Sequence, residues 1–95
     1  MNYVRLLGKC AQDVQLRETQ GRATVANVNI GVRDEGQPRT EWFRLVFWGE
    51  MARQAKLFHQ GDLISVEGRF QTRKWTDDKG IERYTTEVVV SKILG

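Results

Sequence analysis

Glu41-Trp42-Phe43-Arg44-Leu45-Val46-Phe47-Trp48-Gly49 is the stretch that decides the fold. Successive side chains of a strand point to opposite faces, so a strand from Glu41 to Trp48 places Phe43, Leu45 and Phe47 on one side. Trp42, Arg44, Val46 and Trp48 fall on the other. Only one side can face a core. If the phenylalanines fill it, two tryptophans and an arginine stand in water, and burying rings of that size is strongly favoured. Something outside this strand must therefore cover them.

Working outward, strand signals dominate. Thr24 to Val32 alternates Ala26, Val28, Ile30 and Val32 with Val25, Asn27, Asn29 and Gly31, the two-residue period of a half-buried strand with both asparagines outward. Tyr3 to Lys9 reads as a strand that continues, after a bend, through Val14 to Glu18. Arg33 to Thr40, with Asp34, Gly36 and Pro38, is a turn-rich loop. After Gly49, the segment Glu50 to His59 has Met51, Ala55 and Phe58 at helical spacing and is closed by Gly61. Asp62 to Thr72 alternates again, with Gly68 inside it predicting a bulge or a sharp bend. Asp77-Asp78-Lys79-Gly80 is a hairpin turn, and Tyr84 to Val90 is the returning strand. The order predicts an all-β, OB-fold, five-stranded Greek-key barrel. It has one short helix between strands 3 and 4 and a long hairpin between strands 4 and 5.

Composition narrows the function. The chain has 95 residues, the size of one domain, so residues 1–95 are read as a single unit. A domain this small buries a limited share of its surface, and association with other copies is expected. Net charge is +3, which permits a polyanionic partner without demanding one. No apolar run approaches the roughly 18 residues that cross a bilayer, no signal peptide is visible, and the one cysteine, Cys10, suits a reducing cytoplasm. No paired acids, nucleophile-histidine arrangement, phosphate-cradling glycine loop or metal-ligand spacing is seen, so neither an enzyme nor a metal or cofactor site is expected. His59 reads as a residue closing the helix or lying at the surface, and Cys10 as a small strand residue.

The residues with chemistry are aromatic and basic. Trp75 follows Arg73 and Lys74 near the tip of the hairpin, pairing phosphate donors with a flat ring. Single strands expose base faces beside one charge per nucleotide, so rings interleaved with Arg and Lys match both features without reading sequence. Candidate stacking residues are Trp42, Trp48 and Trp75, and candidate phosphate contacts are Arg44, Arg73, Lys74, Arg33 and Arg69. Each has a plainer reading. Trp42 and Trp48 could lie in a subunit interface, Trp75 could pack on its own hairpin, and Arg44 could pair with Glu41 or Glu67. Asp77, Asp78 and Glu82 partly offset the charges of the arm.

The run from Glu41 to Gly49 resembles the third strand of bacterial single-stranded DNA-binding proteins, and Arg73-Lys74-Trp75-Thr76-Asp77 with Arg83-Tyr84-Thr85-Thr86-Glu87-Val88-Val89-Val90 is similar to their long hairpin. Val25-Ala26-Asn27 and Asn2 to Gly8 fit as well. The resemblance implies an OB fold, a homotetramer with a dimer as the alternative, and base stacking at Trp42, Trp48 and Trp75. It implies phosphate contacts at Arg44, Arg73 and Lys74, and a subunit interface along the first strand, here Tyr3, Arg5 and Leu7. The sequence departs from the family in several places. The loop Arg33 to Thr40 lacks a tryptophan, Glu50 and Gln60 stand where lysine is frequent, Gln71 where arginine is, and Phe43 where histidine is. Gly95 ends the sequence without the glycine-rich linker and acidic tail through which relatives reach replication and repair proteins, as in a shortened form or a natural short relative.

The expected function is sequence-independent binding and protection of single-stranded DNA in replication, recombination and repair. The competing expectation is a tail-less primosomal accessory protein working through protein contacts, and a third is an RNA-binding OB domain.

Overall fold

The alternating stretch around Trp42 forms a strand with the bounds its pattern sets. A computed structural model describes residues 1–95, with β1 (Val4–Cys10), β2 (Gln15–Glu18), β3 (Thr24–Val32), β4 (Glu41–Trp48), α1 (Glu50–Ala55), β5 (Leu63–Thr76) and β6 (Glu82–Ile93). The sheet order is β1-β5-β6-β4-β3-β2, and β1 pairs with β3 as well, so the sheet closes on itself. The bent first strand forms β1 and β2, interrupted near Val14, and both lie antiparallel to β3. Counting them as one, this is the five-stranded OB barrel with its helix between the third and fourth strands.

Closure depends on two short seams. β1 meets β3 at Lys9↔Gly31 and Cys10↔Ile30, and β4 meets β6 in parallel at Leu45↔Val88 and Val46↔Val89. Inside lie Phe47, Ile30, Leu45, Ile64, Val28, Val66 and Val88. Cys10 is buried with them, and its thiol is pushed up by burial and by the nearby Asp62 carboxylate, which makes it an inert apolar filler. Phe43 and Phe70 sit toward one end of the core, with ring centroids 6.4 Å apart, and Phe70 stays partly exposed.

Gly68 marks the expected bulge. The register shifts between Glu67 and Gly68, and a Cβ at 68 would collide with the Val89 carbonyl oxygen. β5 and β6 pair on from Gly68↔Val90 and, beyond Phe70↔Val88, leave the barrel as a hairpin that ends at Thr76↔Glu82. Both strands are longer than the sequence reading has them, because pairing continues after the side chains cease to be core. The helix is shorter, ending at Ala55 with Ala52 and Ala55 buried; Lys56 to Phe58 continue only as turns. His59 lies beyond the helix and does not close it: its N–H donates to Asp62 Oδ2 at 2.8 Å, and its ring is exposed.

Candidate nucleic-acid interface

The outer face of β3 and β4 is set by register. Gly31 pairs with Trp42, Asn29 with Arg44, Asn27 with Val46 and Val25 with Trp48, so the two tryptophans stand at opposite ends of one surface. Trp42 is 62% exposed and Trp48 48%, while Val46 between them and Val25 opposite Trp48 are buried and form an apolar floor. Trp42 lies over β3 because Gly31 has no side chain, and a Cβ there would come within 3.1 Å of the indole.

Arg44 does not pair with Glu41 or Glu67. Its Nε donates to Glu87 Oε2 at 2.7 Å, and Arg73 Nε donates to Glu87 Oε1 at 2.8 Å. Three strands, β4, β6 and β5, thus meet through one carboxylate. The partner of Arg44 is 43 residues away in sequence, and only the barrel's closure makes them neighbours. Arg17, Asn27, Arg44, Trp48, Arg73 and Glu87 line a hollow of about 230 Å³ above the apolar floor.

On the hairpin, alternation divides the Arg73-Lys74-Trp75 run. Arg73 and Trp75 point to the same face as Glu87, opposite Thr85 and Arg83 on β6. The indole Nε1–H of Trp75 donates to Thr85 Oγ1 at 2.8 Å, and the side chain stays 40% exposed, so the packing and stacking readings of Trp75 are compatible. Lys74 points to the opposite face with Tyr84, and its Nζ lies 3.0 Å from Glu82. Arg69, also exposed, follows the bulge and makes no ion pair. Arg33 sits with Lys9, Trp42 and Gln60 around a second hollow of about 400 Å³, its Nε 3.4 Å from the Gln37 carbonyl. The structure therefore gathers Trp48, Arg44 and Arg73 at one hollow and Trp42 with Arg33 at another. Trp75 lies further along the arm, and Lys74 is turned away.

Two members of this surface are absent from the sequence-derived set. Arg17 was detectable, since Leu16 packs against the core and period two then puts Arg17 outward. Glu87 alternates with the core residues Val88 and Val90, but its burial comes from arginines on other strands.

Arg5 and Leu7 share the outward face of β1, with Arg5 paired to Glu67 and Leu7 to Ser65, and Tyr3 stands exposed just before the strand begins. Tyr3, Leu7 and the nearby Leu63 are all largely exposed. Because β1 meets β3 only at Lys9 and Cys10, the edge of β1 from Val4 to Leu7 has a row of unpaired backbone groups on that side.

A closed OB barrel whose outer face carries exposed indoles beside guanidiniums belongs to the class of single-strand nucleic-acid-binding modules. Residues 1–94 match the Single-strand binding protein family, and the chain belongs to that family. Its ligand class is single-stranded DNA.

Proposed function

We propose that the chain holds single-stranded DNA extended across the β3–β4 face and along the hairpin, without reading its sequence, and protects it in replication, recombination and repair. The observation that carries this reading is the exposure of Trp42, Trp48 and Trp75 on a surface that also bears Arg17, Arg44 and Arg73. Bases stack on the rings, each contributing about 1–3 kcal/mol, and backbone phosphates meet the guanidiniums. Arg33 extends the path at Trp42, Arg69 adds charge on the same face of β5 as Arg73 and Trp75, and Lys74 adds it on the opposite face. No base-edge code is needed, because every base has a π-face.

The same reading includes self-association through β1. Its exposed Tyr3 and Leu7 and its unpaired edge form a surface that a second copy can cover, with a homotetramer as the expected end state.

Intrinsic tryptophan fluorescence titrated with oligo-dT at low and high salt tests the DNA reading. Quenching, with an affinity that falls as salt rises, is the expected result. Absence of quenching and of binding at low salt would overturn it.

A further inference from the structure

An acid in the middle of a polyanion-binding surface is unfavourable by charge alone. Yet Glu87 stands there with its side chain only 9% exposed, at the hollow shared by Arg44, Arg73 and Trp48. We propose that Glu87 is a positioning residue for DNA binding, whose single carboxylate fixes the Arg44 and Arg73 guanidiniums as a rigid pair facing the phosphates. The inference rests on the reading of this face as a DNA surface.

The geometry supplies the argument. Glu87 uses one oxygen for each arginine, and in both cases the arginine is held through Nε. A guanidinium held at Nε keeps its two terminal nitrogens together at the far end of the planar fork, the donor arrangement that suits a phosphate. Arg44 and Arg73 keep 33% and 47% of their side-chain surface exposed while the carboxylate between them is covered. The cations therefore face solvent and the anion does not. The rotamer freedom of two long side chains is lost on folding rather than on binding, which leaves less to lose when DNA arrives. Two positive charges and one negative leave the group cationic. The other ion pair of the arm that involves a named phosphate candidate, Lys74 with Glu82, joins two exposed partners and creates no such order.

The test is Glu87→Gln, read by anisotropy of labelled oligo-dT across a salt series. Glutamine keeps the shape, but its oxygen can accept from one arginine while its NH2 faces the other. Although the surface becomes more positive, affinity is expected to fall about fivefold or more, and the slope of log K against log salt to shrink by about 0.7 for each phosphate no longer neutralised. If Glu87 only tempers the charge, the variant binds more tightly with a steeper slope. That result, or unchanged binding, overturns the proposal.

Arg73→Lys is the second variant, and it carries the test if circular dichroism shows that Glu87→Gln does not fold. It retains the charge but not the fork, and weaker binding is expected; wild-type affinity overturns the proposal. A wild-type chain that fails to bind oligo-dT refutes the DNA reading and this proposal together. Wild-type binding with unaffected variants refutes this proposal alone.

Discussion

At the scale of single residues, the three indoles have different supports, and substitutions should separate them. Trp42 touches solvent over most of its surface and rests on Gly31, so Trp42→Ala should leave the melting temperature nearly unchanged and weaken oligo-dT binding by about 1–3 kcal/mol. Trp75 is tied to Thr85 through Nε1, and Trp75→Phe keeps a ring but loses that tie. A smaller loss than for Trp75→Ala is expected by the same anisotropy titration, and equal losses would mean that the indole N–H orientation carries the effect. The outward placement of Trp42 and Trp48 is legible from alternation within eight residues of β4, because one strand's pattern separates core from surface by itself. Glu87 is not legible in that way. Its significance depends on Arg44 and Arg73 converging from two other strands, and no local periodicity reports which outward residues a closed barrel brings together.

Among the elements, the hairpin differs most from its sequence reading, and alternation explains why. Reading Arg73, Lys74 and Trp75 as one basic-aromatic run ignores that a strand sends neighbours to opposite faces; Lys74 joins Glu82 and Tyr84 instead. The turn itself is plain from Asp77 to Gly80, with Gly80 at φ 78°. Its tightness depends on Asp77, whose Oδ1 accepts the N–H groups of Ile81 and Lys79 and whose Oδ2 accepts from Arg83 Nε at 2.9 Å. The Ile81 N–H and the Arg83 side chain hold the Asp77 carboxyl below its ordinary value of 3.8, against an opposing effect of desolvation, with the Lys79 N–H adding a lesser pull in the same direction. A folded-state value lowered in this way favours the ionised form. The turn's stabilisation is therefore complete above the ordinary value and is lost as pH falls through the lower, folded one. In an NMR pH titration, the amide signals of Lys79 and Ile81 should hold steady at neutral and mildly acidic pH and shift only below that ordinary value. A midpoint at or above it would contradict the network. The sequence reading extends the helix too far because Phe58 continues the apolar spacing of Met51 and Ala55 after the backbone has passed into turns; spacing records which side chains face inward but not where helical hydrogen bonding stops.

Taken whole, the molecule is a small barrel with a projecting arm, 40 Å along its longest axis and about 30 Å across. Its order of elements is readable because each strand carries its own two-residue period and its own turn residues. The strand-to-strand seams are not, since pairing across a closed sheet depends on curvature rather than on any one strand's pattern. A core cluster of 13 buried residues is modest, and covering Tyr3, Leu7 and Leu63 in a subunit contact would add to it. Light scattering after size exclusion should give a multiple of 11.0 kDa, and Leu7→Arg should move the mass toward a single copy and lower the melting temperature. A wild-type mass of one copy would refute the contact. The parallel seam between β4 and β6 spans only two residue pairs, and the Arg44–Glu87 bond crosses it one position away. One of the two short joins of the barrel and the Arg44–Arg73 pair are thus one place. If DNA engages Arg44 and Arg73 as proposed, it bridges that join, occupancy and barrel closure become thermodynamically linked, and the free protein should breathe at this seam more often than the bound one.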